Sequence, residues 1–299
     1  MKKVRRGKPK TITVLPLFPD SPQQLVPGSL TQSMTAPVWT EQKAQLIARY
    51  LRYFVFITKH GAYIDGFSAP KDPDNPNSWA AKLVLESEPR WLRQFYLCDL
   101  PDRIAHLNEL AGAQPPVANR TIEVFPGDFN ATVHEVLRSP LISGKTATFC
   151  LLDQFSTECH WQTVTALAKH KGPGFHKIEL FYFLAAGWLF RSLSGFKDPS
   201  GPQAWWGGPD WESLRGIGQD RLALRFSERF QKELGYRFVT AWPIYERVRG
   251  SGRIMFFMIH ASDHPQAPVL MNRAYRNVVE PLEPVEQLKF EYNQLDGRQ

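Results

Sequence analysis

Cysteine is scarce in this chain. Three occur in 299 residues, Cys98, Cys150 and Cys159. They are odd in number, and spacings of 52 and 9 give no CxxC pair, which disfavours a disulfide scaffold and an intrinsic zinc finger. No apolar run reaches the length of about 18 residues that a transmembrane helix needs, and no basic n-region leads into an apolar h-region. Membrane spanning and signal-directed secretion are therefore not expected, and the reading is a cytoplasmic protein. Absent too are GxGxxG and GxGxG: the first loop reads DGFSAPKDPDNPNS, with Gly66 as its single glycine. A dinucleotide pyrophosphate would be poorly cradled there, which argues against NAD and FAD and leaves S-adenosylmethionine, which has no phosphate, less penalised. No internal repeat is visible.

An acidic balance is also missing. The formal net charge is +7, but residues 1–10 hold six basic side chains and no acid, so the remainder carries only +1. The basic character is an arm. Such an arm can neutralise nucleic-acid phosphates, or serve simply as a solvated end.

What is present is an ordinary globular composition, 43% hydrophobic and 22% charged, on a chain long enough to bury about three-quarters of its unfolded surface. Residues 1–37 read as a basic, Pro/Ser-rich leader, 38–280 as one domain and 281–299 as a tail. The domain opens with a helix from Thr40, marked by Ile47, Tyr50, Leu51 and Phe54 at helical spacing. Short apolar strands follow over 62–65, 94–99, 121–125, 147–153 and 177–185, separated by helical segments. Continuous apolar strands between helices predict a parallel sheet covered on both faces, and right-handed crossovers make it doubly wound. A charged helix over 220–234 precedes strands at 236–242 and 253–260, joined by RVRGSG as a hairpin. The expected fold class is thus α/β, a Rossmann-like sheet of methyltransferase type with an antiparallel edge.

Ligands of open α/β sheets bind beyond the carboxyl ends of the strands. Asp65, Asp99 and Asp153 close predicted strands, and Asp128 lies just past another. Asp99, 34 residues after Asp65, is placed to accept from ribose hydroxyls, with Asp128 near an adenine ring and Phe129 packing on it. Aspartate is also common at strand ends for turn and cap chemistry alone. The run LLDQFSTECHW puts Asp153 and Gln154 at the reaction edge, with Glu158, Cys159 and His160 at a helix start. There His160 or Asp153 could act as a general base and a thiolate would be stabilised. The alternative makes Cys159 a small buried hydrophobe and His160 a cap. Trp205, Trp206 and Trp211 read either as an exposed stacking surface or as core. His260, Asp263 and His264 have metal-like spacing without a third cluster, so no metal ligand is assigned.

YIDGF, the WAAKLVLE helix, FYLCD, PGDF and CLLDQ together resemble the three-Cys-motif partner family of bacteria and phages, TcmP, over most of 40–275. The resemblance implies a relative of Rossmann-type methyltransferases, with a neighbouring three-Cys-motif protein as a partner and a setting in nucleic-acid metabolism or phage defence. Where the family reads close to YIDGFAGPG, this chain has Tyr63 to Lys71 as YIDGFSAPK, two glycines fewer, and FIDPFG is replaced by LLDQFS. The resulting assignment gives Asp65, Gly66, Phe67 and Ser68 to the methionine moiety of S-adenosylmethionine, Asp99 to ribose, and Asp128 and Phe129 to adenine. Asp153, Gln154, Glu158 and His160 fall to the target. Two alternatives stand beside it: a catalytically degenerate partner subunit, with Lys71 filling the pocket, and a metal-dependent nuclease or hydrolase using Asp65, Asp128 and Asp153.

Overall fold

The computed structural model describes residues 38–247 and 251–279. The leader and the C-terminal tail read from the sequence lie outside them. The elements in chain order are α1 (Val38–Thr58), β1 (Ala62–Asp65), α2 (Ala80–Leu85), β2 (Gln94–Asp99), α3 (Ala105–Gly112), β3 (Thr121–Pro126) and α4 (Phe129–Val136). After these come β4 (Thr148–Leu152), α5 (Trp161–Lys169), β5 (Glu179–Leu184), α6 (Ala186–Ser192), α7 (Ser200–Trp206), α8 (Gln219–Lys232), β6 (Phe238–Arg247), β7 (Ser251–Ser262) and α9 (Ala267–Val279).

The strands form one seven-stranded sheet in the order β3-β2-β1-β4-β5-β7-β6. The pairs β1/β2, β2/β3, β1/β4 and β4/β5 are parallel, whereas β7 runs antiparallel to both β5 and β6. This is the mostly parallel, doubly wound α/β sheet with an antiparallel edge that the apolar runs predict. The order reverses between β1 and β4, so the crevice of the fold lies beyond the carboxyl ends of β1, β2 and β4.

Every residue of β1, β4 and β5 is buried. That is the reason these strands read as unbroken apolar runs: helices cover both faces, so no position alternates toward water. Tyr63 stacks on Phe149 through the centre, and Phe149 meets Phe181 edge-to-face with centroids 4.6 Å apart. Burying each such side chain contributes about 1.5–3 kcal/mol relative to leaving it exposed. The apolar stripe of α1, Ile47, Tyr50, Leu51 and Phe54, lies in this same core.

Two local features decide between alternatives that the sequence left open. The helix after β3 starts at Phe129 because the Asp128 side chain accepts from the Asn130 N–H and caps it. The three tryptophans after β5 are core: Trp205, Trp206 and Trp211 are all buried. Trp205 Nε1 donates to Tyr182 Oη at 2.8 Å, and the Arg229 guanidinium lies 4.2 Å over Trp206. The stacking-surface reading of that insertion is thereby corrected, because Tyr182 and Phe226 supply the apolar neighbours that large rings seek.

Candidate functional site

The carboxyl edge of the sheet is organised by the first loop, which runs from Asp65 across the ends of β2 and β4. Gly66 N–H donates to the Leu151 carbonyl and Ser68 N–H to the Cys98 carbonyl, so the loop extends the hydrogen bonding of the strands that it leaves. Ser68 Oγ donates to the same Cys98 carbonyl at 2.9 Å. Ala69 N–H donates to Asp99 Oδ2 at 2.8 Å, and Trp79 Nε1 to the Ser68 carbonyl at 2.6 Å. A Cβ at Gly66 would lie 2.5 Å from the Phe129 ring. Glycine is required there by close approach, and what approaches is the chain's own aromatic side chain.

The carboxylates of this edge are occupied unequally. Asp65 is buried, accepting from Tyr63 Oη at 2.8 Å and from the Phe67 N–H. Burial pushes its pKa up to about 7, against the opposing pull of these hydrogen bonds, with Asp153 and Asp99 adding to the rise. Asp99 accepts from Ala69 N–H on one oxygen and Leu100 N–H on the other, with Arg103 at 3.6 Å. Only 4% of its side chain is exposed.

Asp153, just past β4, sits between two lysines. Lys71 of the first loop bonds its Oδ2 at 3.2 Å, and Lys43 of α1 forms a direct ion pair with Oδ1. Burial raises the Asp153 carboxyl, but the two ammonium groups outweigh it and hold the pKa below the usual carboxylate range. Burial drives Lys43 down to about 7 in spite of Asp153. The Lys43 ammonium also lies 4.2 Å over the Phe256 ring and 4.6 Å over Phe183, a cation–π pocket that partly replaces its lost hydration.

Lys43 is the residue that sequence reasoning missed. It occupies the position four before Ile47 and seven before Tyr50, so it continues the apolar stripe of α1, and a lysine there must find a buried anion. The signal was present, but its partner lies 110 residues away.

Gln154 is fully buried. Its Nε2 donates to the Phe183 carbonyl at 2.7 Å, while Oε1 has no hydrogen-bond partner among the described residues. Glu158 is exposed, and its carboxylate accepts from the Ser156 N–H. His160 is the residue before α5, and its N–H donates to Asn130 Oδ1 at 2.9 Å. Asn130 ties these positions together: its Nδ2 donates to Asp128 and to the Glu158 carbonyl, and its Oδ1 also accepts from Thr163 Oγ1. Apart from Gln154, which is bonded to β5, the candidates fall into two groups. Asp65, Gly66, Phe67, Ser68, Asp99, Phe129 and Asp153 meet around the first loop, whereas Asp128, Glu158 and His160 meet at the facing starts of α4 and α5.

Cys159 is completely buried, and burial pushes its thiol up, with Asp128 and Glu158 adding to the rise. The thiolate reading is corrected: the helix-terminus effect is outweighed by loss of water. All three cysteines are free and buried. His260 and Asp263 serve different contacts, His260 Nε2 meeting Glu179 at 2.9 Å and Asp263 accepting from Lys177 at 3.2 Å. Among the described residues no group of three or more His, Cys, Asp or Glu is arranged to hold a metal ion, and no helix is long and apolar enough to cross a membrane.

No family model matches the chain, and no curated protein matches it. Among solved structures, the crystal structure of protein LPL1258 from Legionella pneumophila str. Philadelphia 1, described by the family model DUF519, is similar with a TM-score of 0.44. The two share 11% identity over 83% of this chain and 95% of that one.

Proposed function

We propose that this protein is a TcmP-like, methyltransferase-type α/β protein that works with nucleic acid as a non-catalytic partner subunit, its cofactor edge closed by its own first loop. The observation that carries the reading is the state of Asp99. A ribose-binding carboxylate must offer its oxygens to a ligand, yet here both are bonded to the chain's own amides, and Phe129 covers Gly66 where a cofactor would approach. Lys71, bonded to both the carboxylate and the carbonyl of Asp153, closes the other side. In this arrangement the residues do not fit S-adenosylmethionine.

A second reading is favoured by the strand order and by Asp65, Asp99 and Asp153 lying together at one edge: a methyltransferase whose first loop opens to admit S-adenosylmethionine. Thermal unfolding of the purified full chain with S-adenosylmethionine, S-adenosylhomocysteine or buffer alone separates the two. A ligand that binds only the native state raises apparent stability by RT ln(1 + [L]/Kd). The partner reading expects no shift at millimolar ligand and retention of a second protein from the native host. A clear upward shift would replace it with the methyltransferase reading.

A further inference from the structure

Phe155 lies two residues past Asp153 and is 60% exposed, on a loop whose neighbours Gln154 and Cys159 are buried. A single exposed ring is ordinary, whereas a contiguous exposed apolar patch marks a binding surface. Phe155 does not stand alone. Its centroid is 6.3 Å from that of Trp188 on α6, and Trp188 is 6.0 Å from Phe196. Trp188 and Phe196 are only partly covered, and Phe190 on the same helix is 42% exposed. Three aromatic rings therefore form a continuous half-open row that begins at the edge of the Lys43–Asp153–Lys71 cluster.

Two exposed cations flank this row, alongside the exposed carboxylates of Glu158 and Asp198. Arg191 lies one turn beyond Trp188 and Lys197 next to Phe196. Both are exposed, and neither has an ion-pair partner among the described residues. The nearby acids are engaged locally: Glu158 accepts from the Ser156 N–H, and Asp198 from the N–H and hydroxyl of Ser200. Flat rings flanked by free cations suit a ligand with planar faces and a negative backbone, which is the chemistry of a single-stranded nucleic acid. A duplex hides its base faces and fits poorly.

We infer that Phe155, Trp188 and Phe196 form a stacking platform for unpaired bases of a single nucleic-acid strand, with Arg191 and Lys197 meeting its phosphates. The inference deepens the nucleic-acid part of the proposed function and rests on it, but it does not depend on the state of the cofactor edge. It assigns binding to the row beyond β4 and β5 and not to the basic arm at residues 1–10.

The test is fluorescence anisotropy of labelled single-stranded DNA and RNA 12-mers against the full chain. It is run at moderate and at high salt, because salt suppresses the arm's phosphate contacts more than base stacking. Phe155→Ala should weaken single-strand binding at least about five-fold, the lower end of what one base–aromatic stack supplies. Phe155→Tyr should restore it, and Arg191→Gln should flatten the salt dependence. Because Phe155 is largely exposed, both Phe155 variants should unfold with the wild type. Equal binding by Phe155→Ala and wild type would overturn the platform. So would the absence of single-strand binding by the wild type, and so would loss of a co-purifying protein, with no change in nucleic-acid binding, in the variant. Phe155-dependent binding together with a thermal shift by S-adenosylmethionine would instead overturn the closed-edge reading and leave the platform standing.

Discussion

The backbone N–H of Ala69 donates to the carboxylate of Asp99, 30 residues later in the chain, at 2.8 Å. This bond joins the loop leaving β1 to the end of β2, and it turns a carboxylate that could hold a ligand into one that holds the chain. Arg103 strengthens the junction by donating to the Pro70 carbonyl at 3.3 Å.

Asp99→Ala should therefore act on stability. It leaves the buried Ala69 N–H without an acceptor, a loss of about 1–3 kcal/mol. Chemical denaturation should show a lower midpoint with an unchanged slope, and protease digestion should reveal earlier cleavage between Gly66 and Trp79. A variant as stable as the wild type would show that the loop is held by its other bonds alone.

The Lys43 pair predicts a pH dependence. Its folded pKa, about 7, lies below the ordinary 10.5, so through that window the unfolded chain binds a proton that the folded chain does not. Stability from this group accordingly rises with pH between the two values, and its full cost is felt below about pH 7. Lys43→Met should flatten the difference in unfolding free energy between about pH 7 and about pH 10. A wild-type curve with no rise in that window attributable to Lys43 would contradict the placement of its ammonium in a dry pocket.

Gly66 and Phe129 should be energetically coupled. Adding a methyl at Gly66 drives it into the Phe129 ring, at 2.5 Å, and an overpacked site of this kind costs about 1–3 kcal/mol. In a double-mutant cycle, Gly66→Ala should be less harmful on a Phe129→Leu background than alone. Additive effects would mean that the ring does not rest on the loop.

At the opposite edge of the sheet, the Glu179 carboxylate accepts from Tyr50 Oη, His260 Nε2 and Ser262 Oγ, the last two at 2.9 and 2.7 Å. Burial raises its pKa, but these donors outweigh burial and hold it below the ordinary 4.5. The stability it confers is present above about pH 4.5 and is lost as pH falls below that value. Glu179→Gln cannot accept from all three donors and should lower stability by about 1–3 kcal/mol at neutral pH, without altering oligonucleotide binding at the far edge. Circular-dichroism melts across the acidic range check both claims.

The strands and the helices between them were legible in the sequence because their cause is local. Burial on both faces makes β1, β4 and β5 apolar except at their ends, where Asp65, Thr148 and Glu179 sit, and α1 shows its stripe at helical spacing. Helices α6, α7 and α9 went unread, since their apolar residues answer to neighbours far along the chain: Tyr275 of α9 packs on Trp242 with ring centroids 4.8 Å apart. The site divides in the same way. That Asp65, Asp99 and Asp153 would share one edge follows from strand order and chain direction, which the alternation of elements already implies. What each carboxylate bonds to was decided only when the chain closed. Asp99 is held by amides 1 and 30 residues away, and Asp153 by ammonium groups 82 and 110 residues away. A sequence carries the type and order of charged groups, but desolvation and pairing, which set their energies, exist only in the folded packing.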